Sequence, residues 1–355
     1  MKSAALIWHN GRLKPWQDAT CHVSAHALHY GSSVFEGERV YATAQGPAYF
    51  RLADHTRRLF ESAKVYEIDV GYSEEEINAA CVELIRANQM TSAYVRPIVF
   101  RGADTLGVLA RPGAPVDVAI MALDWGAYLG EAIEHGADVC VSSWNRPAPN
   151  TFPSWAKAGG NYLNSQLVGL EARRGGYAEG IALGTNGLLS EGAGENLFLV
   201  KRGRLLTPTT SAGVLAGITR DTVITLATDL GLKVEERDLP RESLYWADEV
   251  FMTGTAAEIT PIRSVDRKLV GAGVPGEVTR TLQKAFFGLF DGTTADRYGW
   301  LTPVGREDVE PLSHRERGRG EGPGSDQRST PAEPSPGAAR HSLPEGEGKD
   351  LEVAA

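Results

Sequence analysis

The sequence is poor in cysteine and has no long apolar run. Its three cysteines, Cys21, Cys81 and Cys140, lie roughly 60 residues apart, a spacing typical of neither a disulfide framework nor a zinc site. No stretch of about 18 apolar residues occurs, and the first twelve residues lack the pattern of a signal peptide. These absences favour a reducing compartment, and we expect a cytoplasmic protein.

Positive charge is also in short supply. There are 36 Lys and Arg residues against 45 Asp and Glu, which gives a formal net charge of -9. Such a chain has no general electrostatic attraction to nucleic acid or to anionic lipid. Of its 355 residues, 42% are apolar, enough to bury the core of one or two domains. The composition therefore favours chemistry on small molecules.

The motifs of several large enzyme classes are missing. The sequence contains no Ser/His/Asp elbow, HExxH helix, GxxxxGK[ST] loop or GxGxxG after a predicted strand. Cys21, His22, His26 and His29 are crowded into nine positions, but their spacing matches no zinc pattern. We expect no metal there and interpret these histidines as packing and hydrogen-bonding groups.

The composition changes at the C-terminal end. Residues 305–355 hold 8 Gly and 6 Pro and contain no Phe, Tyr, Trp, Ile or Met. A segment with so little apolar surface cannot offset the entropy lost on ordering. We expect a disordered tail over 305–355, with the catalytic machinery in residues 1–304.

Turn and capping signals predict two domains of strands and helices. Residues 1–130 predict a small α+β domain, with hairpin turns at Asn10-Gly11 and Gln45-Gly46 and helix N-caps at Asp54 and Ser73. Residues 131–136 predict a connection, and residues 137–304 a larger domain. The predicted elements after the first two helices are strands at 93–100, 116–123, 137–143, 180–183, 196–200, 233–237 and 248–253, and helices at 161–174, 219–230 and 276–290.

Two short segments are suited to hold an anion. Gly217-Ile218-Thr219 leads directly into a predicted helix, whose first N–H groups and positive dipole end attract phosphate. Gly254-Thr255-Ala256-Ala257 follows a predicted strand and also lets an anion approach the main chain. An ordinary turn is the more common explanation of either segment taken alone.

A lysine and a carboxylate stand in glycine-rich surroundings. Lys157 lies among small uncharged residues, where a neutral amine could form a Schiff base or move a proton. A surface lysine is the alternative. Glu191 lies in Ser190-Glu191-Gly192-Ala193-Gly194-Glu195-Asn196, where turn chemistry is the competing interpretation. Together, an amine, two anion cradles and a carboxylate are the parts needed to hold pyridoxal phosphate.

At this point the sequence resembles a known family. Residues 1–304 are similar to the bacterial branched-chain amino acid aminotransferases, which are class IV pyridoxal phosphate enzymes of fold type IV. The similar stretches include 24–31, 35–37, 94–97, 125–130, 157–162, 191–196, 217–221 and 254–258. The resemblance implies a two-domain α/β (α+β) fold whose larger domain has a mixed, barrel-like sheet.

The resemblance also implies a set of cofactor-binding residues. Lys157 would be the catalytic residue, bonded to the cofactor and later moving the substrate proton. Glu191 would pair with the pyridine nitrogen, Tyr162 with the ring oxygen and Arg58 with the phosphate. The remaining cofactor contacts would come from Gly217, Ile218, Thr219, Gly254 and Thr255.

The family's substrate pocket maps onto both halves of the chain. The apolar wall for Leu, Ile and Val would comprise Tyr30, Phe35, Val108, Trp125, Tyr128 and Tyr162. Tyr94, Thr255 and Ala256 would hold the α-carboxylate, and Arg96 with Tyr30 and Val108 would receive the glutamate γ-carboxylate. Some of these residues would come from a partner subunit, so a homodimer is the expected minimum, with a hexamer as the alternative.

The function implied is biosynthetic transamination between Leu, Ile or Val and 2-oxoglutarate. Another class IV enzyme is the alternative, either a D-amino acid or aromatic aminotransferase or an aminodeoxychorismate lyase. Glu38 departs from the family, which usually has an apolar residue there. Strand alternation predicts that Glu38 faces away from Gly37 and Arg39.

Overall fold

The computed structural model describes residues 2–104, 106–124 and 130–305. The predicted tail from residue 306 onward, Trp125 and Tyr128 all lie outside these residues. The strands are β1 Lys2–Ser3, β2 Leu6–His9, β3 Arg12–Pro15, β4 Ser33–Phe35, β5 Glu38–Thr43, β6 Gly46–Phe50, β7 Ala93–Arg101, β8 Val116–Asp124, β9 Ala137–Val141, β10 Glu179–Leu183, β11 Leu189–Gly192, β12 Asn196–Lys201, β13 Arg204–Thr207, β14 Lys233–Glu236, β15 Glu249–Gly254, β16 Glu258–Val265, β17 Lys268–Leu269 and β18 Leu301–Pro303.

Eight α-helices are interspersed among these strands in the described part of the chain. The α-helices are α1 His26–Tyr30, α2 Leu52–Val65, α3 Glu74–Ala87, α4 Ala132–His135, α5 Tyr162–Arg174, α6 Ile218–Asp229, α7 Ser243–Trp246 and α8 Glu277–Asp291. Short 3-10 turns cover Trp16–Asp18, Gly159–Asn161 and Thr210–Ala212. Within the described part of the chain, no helix combines the length and the apolar character needed to cross a membrane.

The first sheet is antiparallel, with the order β18-β6-β5-β7-β8-β2-β3. Both predicted hairpins are present, since β2 pairs with β3 and β5 pairs with β6. Glu36 and Gly37 separate β4 from β5, and each of these two strands pairs with β7. Helices α2 and α3 cover one face of this sheet, where Leu59, Ile77 and Leu84 are buried.

One predicted helix cap is confirmed and one is wrong. Ser73 and Glu76 form a reciprocal capping box at the start of α3. Helix α2 begins at Leu52, with Arg51 as its N-cap, and not after Asp54. The Asp54 carboxylate instead accepts hydrogen bonds from Arg51 and Arg57, so it is engaged in ion pairs and does not cap the backbone.

The second sheet is mixed, as predicted for the larger domain. Its order is β11-β10-β9-β16-β15-β12-β13-β14, with β9 parallel to both β10 and β16. Helices α6 and α8 cover it over a core that includes Phe198, Phe251 and Phe286. Each such buried ring contributes about 2 kcal/mol through the area it removes from water. Strands β11, β13 and β16 were not predicted from the sequence.

An aromatic cluster joins the two sheets. Phe50 of β6 meets Phe286 and Phe290 of α8 edge to face, and Trp300 packs on the same ring. Strand β18 follows and pairs with β6 of the first sheet. The last predicted residues of the larger domain therefore return to the first sheet, and the division at residues 131–136 stays a prediction.

Candidate active site

A cavity with about 420 Å³ of empty volume opens between the ends of β11 and β15, the start of α6 and the side of α2. Every residue predicted to contact the cofactor lines it: Arg58, Lys157, Tyr162, Glu191, Gly217, Ile218, Thr219, Gly254 and Thr255. These residues come from distant parts of the sequence. The fold therefore brings together the two predicted anion cradles, the amine and the carboxylate.

Lys157 is fixed in the cavity by its backbone and by its amine. Its N–H donates to Ser62 Oγ at 2.9 Å, and its carbonyl accepts from the Phe35 N–H at 3.0 Å. The Nζ atom lies 2.6 Å from the Tyr162 hydroxyl and 5.2 Å from the centre of the Phe35 ring. The surface-lysine interpretation is wrong, because this side chain points into the cavity.

Glu191 is held from three sides. Its side chain is 3% exposed. Nε and Nη2 of Arg146 both donate to Oε1, while the Asn196 amide and the Leu215 N–H donate to Oε2 at 3.1 and 3.0 Å. These contacts leave the carboxylate little freedom to rotate, so its orientation at the cavity is fixed.

Arg146 is a site residue that the sequence did not reveal. It lies between β9 and α5, 45 residues before Glu191, in a segment with no regular pattern. Its other donors bind Asn164 and Ser165 of α5 at 3.1 and 3.0 Å. No local signal marks this arginine, since Glu191 lies on β11 and reaches it only through the pairing of β9 with β10 and of β10 with β11.

The start of helix α6 forms the anion-binding end of the cavity. No side chain caps the helix, so the N–H groups of its first turn are available to a ligand. A Cβ at Gly217 would overlap Asn196 Oδ1, which explains the glycine. Thr253 is fully buried at this cavity, and its Oγ1 has no hydrogen-bond partner within the described residues.

Arg58 borders the same end of the cavity. It projects from α2 and is 9% exposed, so it is not a solvated surface charge. Its Nη1 donates to the carbonyl oxygen of Ala216 at 2.9 Å, and the remaining contacts of the guanidinium are with Glu36. The guanidinium is thereby fixed beside the start of α6.

Residues predicted to bind substrate lie on the first-sheet side of Lys157. The Phe35 and Tyr162 rings meet edge to face, with 4.8 Å between their centres. The Arg96 guanidinium lies 4.5 Å from the centre of the Phe35 ring. Arg96 also donates to the Tyr94 hydroxyl, which occupies the space that a Cβ at Gly37 would need. An aromatic surface thus ends at a cation, as a site for both apolar and acidic side chains requires.

The remaining predicted substrate residues lie at the edges of this region. Ala256 follows β15, and its carbonyl accepts a hydrogen bond from Arg39 at 3.3 Å. Tyr30 is 42% exposed and Val108 is 77% exposed, so a single copy of the chain leaves this wall open. His26 connects the segment around Tyr30 with the segment around Val108, since its ring forms hydrogen bonds with Ser32 Oγ and with the Gly107 carbonyl.

The crowded histidines near the N-terminus have ordinary partners. His22 bonds the Ser24 hydroxyl, and His29 bonds the Val23 carbonyl. No group of three or more potential metal ligands occurs within the described ranges. Glu38 faces Cys81 of α3 and not the cavity, which agrees with the predicted strand alternation.

Comparisons with known proteins show which chains this one is similar to. A profile described as amino-transferase class IV matches residues 33–265. The branched-chain-amino-acid aminotransferase of Salmonella typhimurium is 59% identical over 304 residues, 85% of this chain and 98% of that protein. The crystal structure of the Escherichia coli branched-chain amino acid aminotransferase gives a TM-score of 0.85 at 58% identity, covering 85% of this chain and 100% of that one. The branched-chain amino acid aminotransferase from Thermobaculum terrenum, solved in its PLP-form, gives 0.80 at 36% identity, covering 86% and 100%.

Proposed function

The chain belongs to the class IV aminotransferases, and on that premise we propose that it exchanges amino groups between branched-chain L-amino acids and 2-oxoglutarate. The products are the branched 2-oxo acids and L-glutamate, and the reverse direction makes Leu, Ile and Val. The observation that carries this proposal is the 59% identity to a branched-chain enzyme over 98% of its length. The alternative class IV activities have no comparable support.

The cavity fits pyridoxal phosphate, the cofactor of this class. The uncapped start of α6 and the unpartnered Oγ1 of Thr253 are donors suited to a phosphate. Lys157 supplies an amine for the aldehyde, and Glu191 supplies a carboxylate for the ring nitrogen. Tyr162 supplies a hydroxyl for the ring oxygen. These groups match the chemistry of each part of the cofactor.

When bound, the cofactor supplies an electron-accepting ring that stabilises negative charge on the substrate α-carbon. The Nζ of Lys157 takes the proton from that carbon, and the Tyr162 hydroxyl at 2.6 Å keeps the amine in place. Glu191 holds a proton on the ring nitrogen. Arg146, Asn196 and Leu215 keep the carboxylate in the orientation that this contact needs.

One pocket must accept both an aliphatic and an acidic side chain. We assign the aliphatic part to Phe35 and Tyr162, whose rings pack against each other beside Lys157. The Arg96 guanidinium lies over the Phe35 ring, 4.5 Å from the ring centre, and we assign it to the γ-carboxylate of glutamate. Tyr94, Thr255 and Ala256 are assigned to the α-carboxylate that both substrates share.

A second copy of the chain completes the pocket in this proposal. Val108 and Leu109 are 77% and 90% exposed, more than apolar residues of a closed pocket would be. We therefore propose a homodimer as the minimum assembly, with a hexamer as the alternative. The three cysteines are free thiols, which supports our placing the enzyme in the cytoplasm.

The test is a panel of amino donors with 2-oxoglutarate, following glutamate formation. L-leucine, L-isoleucine and L-valine are expected to exceed L-phenylalanine and D-alanine in kcat/KM by at least about tenfold, a difference of ~1.4 kcal/mol in transition-state binding. Preferential turnover of D-alanine, or release of pyruvate from aminodeoxychorismate, would replace the proposal with one of its class IV alternatives.

A further inference from the structure

Glu36 is a buried carboxylate that has no part in the mechanism above. It lies between β4 and β5 and has 0% exposure. Its Oε1 accepts from Arg58 Nε at 2.6 Å, and its Oε2 accepts from Arg58 Nη2 at 2.8 Å. His55 Nδ1 also donates to Oε2, at 2.7 Å. The carboxylate thus forms two parallel hydrogen bonds with one edge of the Arg58 guanidinium. His55 of α2 fixes the carboxylate in turn.

The hydrogen bonds of Arg58 define what remains for a ligand. A guanidinium has five N–H groups. Two of them bind Glu36, and one on Nη1 binds the Ala216 carbonyl. One N–H on Nη1 and one on Nη2 are then left, beside the start of α6 that follows Ala216. The direction of these two groups is set by Glu36 on one side and Ala216 on the other.

The charges of this group balance. Burial favours a neutral Glu36, but Arg58 and His55 hold the pKa of the carboxyl well below its usual range. Burial lowers the pKa of His55, so its ring is neutral at pH 7. Arg58 and Glu36 therefore cancel, and a phosphate at this end meets an oriented donor pair and a helix N-terminus but no net positive charge.

We propose that Glu36 is a positioning residue for the cofactor phosphate: it orients Arg58 and sets the affinity for the phosphate by geometry and not by charge. The inference rests on the proposed function only in placing the cofactor phosphate at Arg58. His55 acts one step further out by fixing Glu36.

Two substitutions separate orientation from charge. Glu36→Asp keeps the negative charge but shortens its reach by one methylene, and Glu36→Gln keeps the length but puts an amide donor against a donor of Arg58 or His55. If orientation matters, both weaken cofactor binding by about ten- to a hundredfold, the range expected for loss of a charged hydrogen bond. If charge alone matters, Glu36→Asp has no effect and Glu36→Gln binds phosphate more tightly.

The measurement uses the holoenzyme. Equilibrium dialysis against decreasing pyridoxal phosphate gives the cofactor Kd, and the 31P resonance of the bound cofactor reports on the phosphate alone. Weaker binding together with a moved 31P resonance in both variants is the expected result. Glu38→Gln is the matched control, because Glu38 is equally buried two residues away and does not touch Arg58. We expect its Kd and 31P resonance to equal those of the wild type.

Three outcomes would overturn the inference: unchanged binding in both variants, tighter binding in Glu36→Gln, or weaker binding with an unmoved 31P resonance. The last would mean that Glu36 supports the fold without orienting the phosphate contact. If Glu36→Gln does not fold, Glu36→Asp and the variant Arg58→Lys carry the test, since Glu36→Asp must then add nothing in the Arg58→Lys background. Failure of the wild type to bind pyridoxal phosphate would instead refute the proposed function.

Discussion

The amine of Lys157 donates a hydrogen bond to the hydroxyl of Tyr162, with 2.6 Å between Nζ and the oxygen. The backbone of Lys157 is tied to Ser62 on α2 and to Phe35 on β4, so the amine has one defined position. Tyr162 is the first residue of α5 and is fixed by that helix. In the proposed chemistry this pair takes part both in binding the cofactor and in transferring the proton.

Tyr162→Phe removes only the hydroxyl of this pair. We expect kcat to fall by about ten- to a hundredfold, because Nζ loses its fixed partner, while the cofactor stays bound through Lys157 and the phosphate contacts. The absorbance maximum of the bound cofactor should shift as well. Steady-state rates and a spectrum check this, with Tyr177→Phe as a control outside the cavity. An unchanged rate and spectrum would remove Tyr162 from the site.

Lys157→Ala removes the amine that the proposal makes essential. Turnover should fall by several orders of magnitude, since Lys157 is the one lysine among the described residues that lines the cavity. After borohydride reduction, intact mass spectrometry should find the cofactor attached to the wild type and to a Lys64→Ala control, but not to Lys157→Ala. Attachment of the cofactor to the Lys157 variant would show that another amine performs this role.

Arg96→Gln should separate the two substrates. The guanidinium lies beside the Phe35 ring, so its loss removes the partner of the γ-carboxylate but leaves the apolar wall. We expect the single-turnover reaction with glutamate to slow by about tenfold or more, and the reaction with leucine to change by less than about threefold. Arg101→Gln, on the same strand, serves as the control. Equal slowing with both substrates would contradict the assigned role.

The buried carboxyl of Glu38 should make the stability of the fold depend on pH. Its side chain is 0% exposed, and neither carboxyl oxygen has a hydrogen-bond partner within the described ranges. Burial, reinforced by the Glu36 carboxylate and opposed by the Cys81 thiol, raises the pKa of Glu38 well above its usual value. Burial also raises the pKa of Tyr49 and of Cys81, so both groups stay neutral at pH 8.

The raised pKa of Glu38 determines how the stability of the fold changes with pH. Below about pH 4 the carboxyl is protonated in both the folded and the unfolded chain, and no stability is lost. As the pH rises the unfolded chain ionises first, so folding becomes less favourable by ~1.4 kcal/mol for each tenfold difference in the ionisation constant. Glu38→Met should therefore raise the Tm at pH 8 by more than at pH 5. A gain that is independent of pH, or a loss at pH 8, would contradict this account of Glu38.

Local signals predicted the elements whose cause is local. The Ser73 cap and the Asn10-Gly11 hairpin depend on neighbouring residues and were predicted correctly. Asp54 was wrongly predicted as a cap although its partners, Arg51 and Arg57, are each only three residues away, because the same local pattern allows either a cap or an ion pair. The same limit applies to β16, which is largely buried and lacks a regular polar alternation.

The site residues also divide into those with a local signal in the sequence and those that depend on distant contacts. Lys157, Glu191 and the start of α6 stand in glycine-rich segments or at a helix start, and these local features were visible in the sequence. Arg146 and the contact between Glu36 and Arg58 depend on residues 45 and 22 positions apart. Such contacts follow from strand pairing and helix packing, so no local sequence pattern predicted them.

The central claim is that one site carries out both half-reactions. The measurement that tests it most directly is the absorbance spectrum of the purified holoenzyme, recorded alone, after L-leucine, and again after 2-oxoglutarate. The account predicts that the band of the lysine-bound cofactor falls with L-leucine and returns with 2-oxoglutarate. A band that is present but does not respond to L-leucine would contradict it, leaving the cofactor site in place with a different substrate.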